Sequence, residues 1–317
     1  MASSRKALIA EPLADFSPIF KGLKSRLAFG VSTDGTVVAC AQLSDESHRV
    51  EAPHADAGFA KTRLVQPTEY ILAVWKERHV NQVCVKNEQL PIEYVQCHPE
   101  GYLLVGARCR WRTSGAEPNA LIVDQSGRVL RRFALGDGIA DVRVGDNGDI
   151  VVSYYDEGVF GNYGWLTCET GPIGAPGLVR FDSRGNVLWT YDYEAAGTDA
   201  IADTYAMNVD PGGDIWVCHY TEFPLVRIRG NAYRVWDYDK TAPHALAVKG
   251  DRVLAVGDYG DSSRARVIEL DKDNVARVVA KSSIQDSKGK LKDCLFRGVG
   301  DRLYAFREQQ VLSLQNW

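Results

Sequence analysis

Short apolar runs, separated by polar turns that contain glycine, follow one another along almost the whole chain. The stretch NVDPGGDIWVCHY (208–220) shows the unit: an apolar alternation, a Pro-Gly-Gly turn, then a dense strand-like run. This is the pattern of a β-hairpin. Sixteen-residue versions begin at Leu27, Glu93, Ala140, Tyr205, His244 and Cys294, and no gap is needed to align them. A second hairpin follows each copy, as in 121–133, 178–191, 225–238 and 267–280, with 71–85 as its counterpart in the first. Each unit therefore predicts four antiparallel strands. Spacings of 66, 47, 65, 39 and 50 residues bracket the length of a propeller blade.

Six such units in tandem predict an all-β, six-bladed β-propeller spanning 1–317 as one domain. The last unit runs out after a third strand, 310–315, so the segment 6–13 is expected to close it as the fourth. Two packed sheets are the competing architecture. Two insertions, 44–61 and 156–177, fall after the second strand of their units. The latter carries Phe160, Tyr163 and Trp165 among glycines, which suits a lid, a contact surface or a loop packed on its blade.

Composition narrows the function classes. A net charge of −4 and a pI near 5.9 argue against a nucleic-acid partner. No apolar run is long enough for a membrane span. The N-terminus lacks a signal-peptide core, and seven scattered cysteines without a CxxC pair read as reduced thiols, so a cytoplasmic protein is expected.

The units VDPGGDIWVCHY and VRFDSRGNVLW resemble NHL-type repeats and the blades of gluconolactonase-like and strictosidine-synthase-like propellers. The resemblance implies a six-bladed propeller and, more weakly, hydrolase, lyase or cyclase chemistry. In gluconolactonase-like enzymes a divalent metal is held at the first position of this unit. Here that position is Leu27, Glu93, Ala140, Tyr205, His244 and Cys294, and only Glu93 matches the ligand type. No cofactor is expected. A divalent metal stays a minor alternative, with Glu93, His244 and Cys294 as a softer ligand set.

In a propeller the first and last positions of the six units gather at one mouth. The fifteenth positions include Tyr154, His219, Asp258 and Glu308, and the sixteenth include Arg108, Tyr155, Tyr220 and Tyr259. With Glu93, Tyr205 and His244 they make a candidate site for a small-molecule ligand or substrate. His219, His244 and Asp258 are the candidate catalytic group, because imidazole beside carboxylate transfers protons near neutral pH. Glu93, Arg108, the tyrosines, Glu308 and Trp165 are candidate ligand contacts. So are Arg143 and Arg297, from the fourth position, which also holds Gln96 and Asn208. The competing reading makes the strand-end Tyr, Asp and His residues and the fourth-position side chains bridges between blades. A non-catalytic protein-interaction scaffold is the rival function, with a protein partner in place of a substrate.

Overall fold

The computed structural model describes residues 7–23, 25–44, 62–237 and 241–317. Most of the first insertion, from residue 45 to 61, lies outside them, as does Lys6. The fold is a six-bladed β-propeller of antiparallel four-stranded blades. The chain divides into two compact units, one of residues 16–191 and one of 1–15 with 192–317.

In the 16–191 unit, blade 1 is Ala28–Val31, Val37–Gln42, Thr68–Lys76 and His79–Glu88. Blade 2 is Tyr94–His98, Gly101–Val105, Ala120–Val123 and Val129–Phe133. Blade 3 is Ile139–Val144, Ile150–Tyr154, Leu178–Phe181 and Val187–Thr190.

In the other unit, blade 4 is Asp203–Val209, Ile215–Tyr220, Leu225–Arg229 and Ala232–Trp236. Blade 5 is Ala245–Lys249, Arg252–Val256, Arg264–Leu270 and Ala276–Asp286. Blade 6 is Leu295–Val299, Arg302–Arg307 and Gln310–Leu314, completed by Glu11–Asp15. The closing strand therefore sits slightly later than 6–13. Leu8–Ile9 instead runs parallel to Ile284 and Gln285 at the edge of blade 5. One N-terminal segment thus covers an edge on each of two blades, which removes unpaired backbone groups.

The turn chemistry read from the sequence is visible in the hydrogen bonds. In 210–214, the Asp210 amide donates to the Asp214 carbonyl and the Gly213 amide to the Asp210 carbonyl. Gly213 adopts φ of 82°, a conformation that side chains disfavour. The same pair of bonds closes the turns at 124–128 and 182–186.

Packing between blades rests on first strands that approach closely. A Cβ on Gly298 would meet the Leu246 carbonyl oxygen at 1.5 Å, and one on Gly30 would meet that of Val95 at 1.9 Å. Around these contacts lie interblade cores. Leu104, Leu121 and Val95 are fully buried between blades 1 and 2, and Leu246, Val253 and Ile268 between blades 4 and 5. Each such side chain contributes about 1.5–3 kcal/mol by leaving water.

Two of the fourth-position side chains, Gln96 and Asn208, bridge blades. Gln96 Nε2 donates to the Val142 carbonyl at 2.9 Å. Asn208, fully buried, donates to the Leu246 and Gly300 carbonyls at 2.8 and 2.9 Å, and its Oδ1 accepts from the Gly300 amide at 3.0 Å. One amide therefore ties blades 4, 5 and 6. No helix among the described residues is long and apolar enough to cross a membrane.

Candidate functional site

The densest grouping of sequence-predicted residues is where the hairpin ends of blades 4 and 5 meet. Tyr205 lies near the start of the first strand of blade 4, and Tyr220 ends the second. His244 immediately precedes the first strand of blade 5, and Asp258 and Tyr259 follow the second. The Tyr205 and Tyr259 hydroxyls are 3.0 Å apart, which joins the two blades. Beneath them lies Phe223, which is buried. Its ring centroid is 5.0 Å from that of Tyr205, 5.8 Å from Tyr220 and 6.5 Å from Tyr259, each in an edge-on arrangement. Edge-to-face packing at these distances is favourable for aromatic quadrupoles. Phe223 holds φ of 53°, an uncommon conformation for a bulky residue. Tyr220 and Tyr259 remain 44% and 63% exposed, so the cluster presents open aromatic surface.

His244 packs its ring against Gly257, where a Cβ would meet its Cγ at 2.8 Å. Its amide donates to the Val256 carbonyl at 2.7 Å. Loss of solvent around the ring lowers its pKa, and the charge of Asp258 only partly opposes this. His244 is therefore neutral near pH 7, with a carboxylate at hand. Asp258 is held below the usual carboxylate range. Burial raises it, but the Arg266 bond at 2.7 Å, the Tyr259 amide and Arg264 at 3.3 Å outweigh that. It is a fixed anion.

His219 is fully buried on the second strand of blade 4, with Nδ1 3.2 Å from the Tyr220 carbonyl oxygen. Burial lowers its pKa, and the carboxylate acting on it is Asp199. The carboxylate acting on His244 is Asp258. Arg297 is buried in blade 6, and Glu308 occupies the exposed turn between that blade's second and third strands.

The remaining candidates lie in the 16–191 unit. Tyr154 is wholly buried and donates to the Leu135 carbonyl. Trp165 is also buried: its indole donates to the Cys109 carbonyl at 2.8 Å and packs on Trp111 at 5.1 Å. Both are core residues, whereas the sequence places them against ligand. Glu93 accepts from the Ala107 amide at 3.2 Å. Tyr155 is exposed ahead of the short helix Asp156–Phe160. Arg143 pairs with Asp141 at 2.9 Å.

Arg108 is buried and makes two bonds to Asp137, Nε to Oδ1 at 2.9 Å and Nη2 to Oδ2 at 2.8 Å. Asp137 also accepts from the Cys109 amide, and the Tyr163 ring covers the guanidinium at 4.5 Å. Asp137 lies between the second hairpin of blade 2 and the first of blade 3, outside the repeat positions compared in the sequence. Phe223, Arg264 and Arg266 were missed for the same reason.

Among the described residues no three His, Cys, Asp or Glu side chains are grouped to hold a metal ion. Glu93, His244 and Cys294 do not form such a set.

No model of a known protein family matches the chain, and no curated protein matches it. Several solved structures do. A PQQ-bound aldose sugar dehydrogenase from Streptomyces coelicolor aligns at 10% identity and a TM-score of 0.50, over 96% of this chain and 97% of that one. A putative gluconolactonase aligns at 14% identity and 0.43, over 97% and 92%. YCF48 bound to a D1 peptide aligns at 10% and 0.48, over 100% and 99%. Likeness at such identity concerns the fold and not the chemistry. The likeness to the first of these supports the β-propeller fold alone.

Proposed function

We propose that this chain is a small-molecule-binding propeller whose ligand lies on the tyrosine cluster of blades 4 and 5. The observation that carries this reading is the Tyr205–Tyr259 hydroxyl contact over Phe223, which builds one aromatic platform from two blades. Exposed phenol rings offer a flat apolar face and hydroxyl partners, which suits a ring-shaped ligand bearing hydroxyl groups. His244, neutral and beside Asp258, is the group able to accept a proton from such a ligand. Asp258, charged throughout, stabilises the imidazolium that results. His219, buried one residue before Tyr220, acts as a positioning residue for that strand end. The catalytic part of this reading is of acid–base type and needs no metal. No disulfide joins the seven cysteines, which suits a reducing, cytoplasmic setting.

A thermal-shift panel of sugars, lactones and small aromatic alcohols tests the reading, because a ligand specific to the folded state raises its melting temperature. The aldose sugar dehydrogenase of like fold makes sugar-sized rings the first compounds to try. Tyr259→Ala should reduce the stabilisation at least tenfold in affinity, and His244→Gln should remove turnover while binding persists. A panel without a single stabilising compound would sink the proposal.

A second reading is a protein-docking scaffold. It is favoured by one feature, the 64% and 79% exposure of Phe160 and Leu166 on the 156–177 insertion.

A further inference from the structure

The tyrosine cluster of blades 4 and 5 is walled as well as open. The Tyr205 ring meets Phe223 at 88° and Tyr259 at 74°, and Tyr220 and Tyr259 meet Phe223 at 69° and 80°. Rings set at such angles suit a compact group seated against several of them. Each ring face carries negative charge density, so the compact group it attracts most is a cation.

Elsewhere the molecule supplies that cation itself. Arg108 and Arg110 lie over Tyr163 at 4.5 and 5.5 Å, Arg227 over Trp216 at 5.3 Å, and Arg234 over Trp236 at 4.7 Å. Among the described residues no arginine or lysine lies over Tyr205, Tyr220, Tyr259 or Phe223 in this way.

Negative charge borders the same rings. Asp203 stands opposite Tyr220 in the strand register. The Tyr205 phenol is raised by its bond to Tyr259, by burial and by the Asp203 charge. Asp258, which precedes Tyr259, is committed to Arg264 and Arg266. Asp199 is exposed, and its Oδ2 accepts from the hydroxyl of Thr221, the neighbour of Tyr220, at 3.2 Å. Ring faces give N–H groups no strong acceptor, so a cation without N–H sits on them and leaves no donor unsatisfied.

We propose that the platform's small-molecule ligand carries a quaternary ammonium group, held against the rings of Tyr220 and Tyr259 with Asp199 as its counter-charge, a claim that rests on the platform reading and names the class of its ligand.

The test is calorimetric titration and thermal shift with choline, against its uncharged analogue with carbon in place of nitrogen, at ionic strength held by sodium chloride. Choline should stabilise the protein and the uncharged analogue should not. Tyr259→Phe keeps the ring and should keep choline affinity. Tyr220→Leu/Tyr259→Leu removes two rings and should weaken choline about tenfold, with far-ultraviolet circular dichroism unchanged. Asp199→Asn, which keeps an acceptor for Thr221, should weaken it about threefold. Equal stabilisation by the uncharged analogue, or unchanged choline affinity in the double variant, would overturn the cation site. Should the double variant lose its fold, unchanged affinity in Asp199→Asn decides against the site instead. Binding to phosphatidylcholine vesicles without any response to choline would also overturn it, since the ammonium would then belong to a membrane. A sugar response without a choline response would remove the cation and leave the platform reading intact, whereas silence from both would end both.

Discussion

Arg108 with Asp137, and Arg264 and Arg266 with Asp258, are two arginine–carboxylate assemblies built to opposite ends. In the first, both partners are buried, the side chains are 7% and 1% exposed, two parallel bonds match fork to carboxylate, and Tyr163 covers the guanidinium. In the second, one carboxylate faces two arginines, Arg264 is 55% exposed, and two lysines add charge nearby. The difference teaches how burial sets the cost of losing a carboxylate. A desolvated pair with matched hydrogen bonds satisfies itself, and loss of one partner strands a buried ion. An open cluster keeps water around part of its charge, so loss of its carboxylate costs less.

The sharpest break of this contrast is Asp137→Ala. It leaves Arg108 buried without its carboxylate and should cost about 3–5 kcal/mol, read from the urea midpoint. Asp258→Asn should cost less, about 1–2 kcal/mol, because water can replace the lost bonds at the rim. It should also lower the His244 pKa further by NMR titration, since Asp258 is the charge that raises it. Equal costs for the two variants would end the distinction.

The third expectation concerns acid. His98, His219 and His244 all sit below their ordinary pKa because of burial. The unfolded chain then binds more protons, so stability is fully present above pH of about 6.5 and falls as pH drops through the folded values. His219→Gln should flatten the slope of stability between pH of about 6.5 and 5, measured by denaturation at fixed pH steps. An unchanged slope would remove His219 from the effect. The smallest change is Tyr205→Phe, which breaks one hydroxyl contact at a solvent-facing site and should cost under about 1 kcal/mol in the same assay.

Much of the fold was legible in local pattern. The six hairpins, their companions and the N-terminal completion follow from alternation and from glycine at turns such as 210–214. The bridging alternative for the fourth position is seen at Gln96 and Asn208, whose side-chain amides reach carbonyls of neighbouring blades. The candidate site was less legible. Repeat position brings Tyr205, Tyr220 and Tyr259 to one end of their blades, but it does not report which side chain turns inward. His219 is sealed while Tyr220, one residue on, is 44% exposed, since neighbours on a strand face opposite sides. For Trp165 the glycine-rich loop left a lid, a contact surface and a packed loop open, and the structure has its indole buried and bonded to the Cys109 carbonyl.

By itself the amino-acid sequence determined the strands, the turns and the blade count, because these depend on a period of two and on backbone conformations that few residues tolerate. Only the tertiary structure decided which charges meet. Asp137 reaches Arg108 across 29 positions, and Arg266 meets Lys281 across a strand pair whose register no local pattern encodes. Charge balance is a sum over everything that packs nearby, so it exists only once the chain has folded.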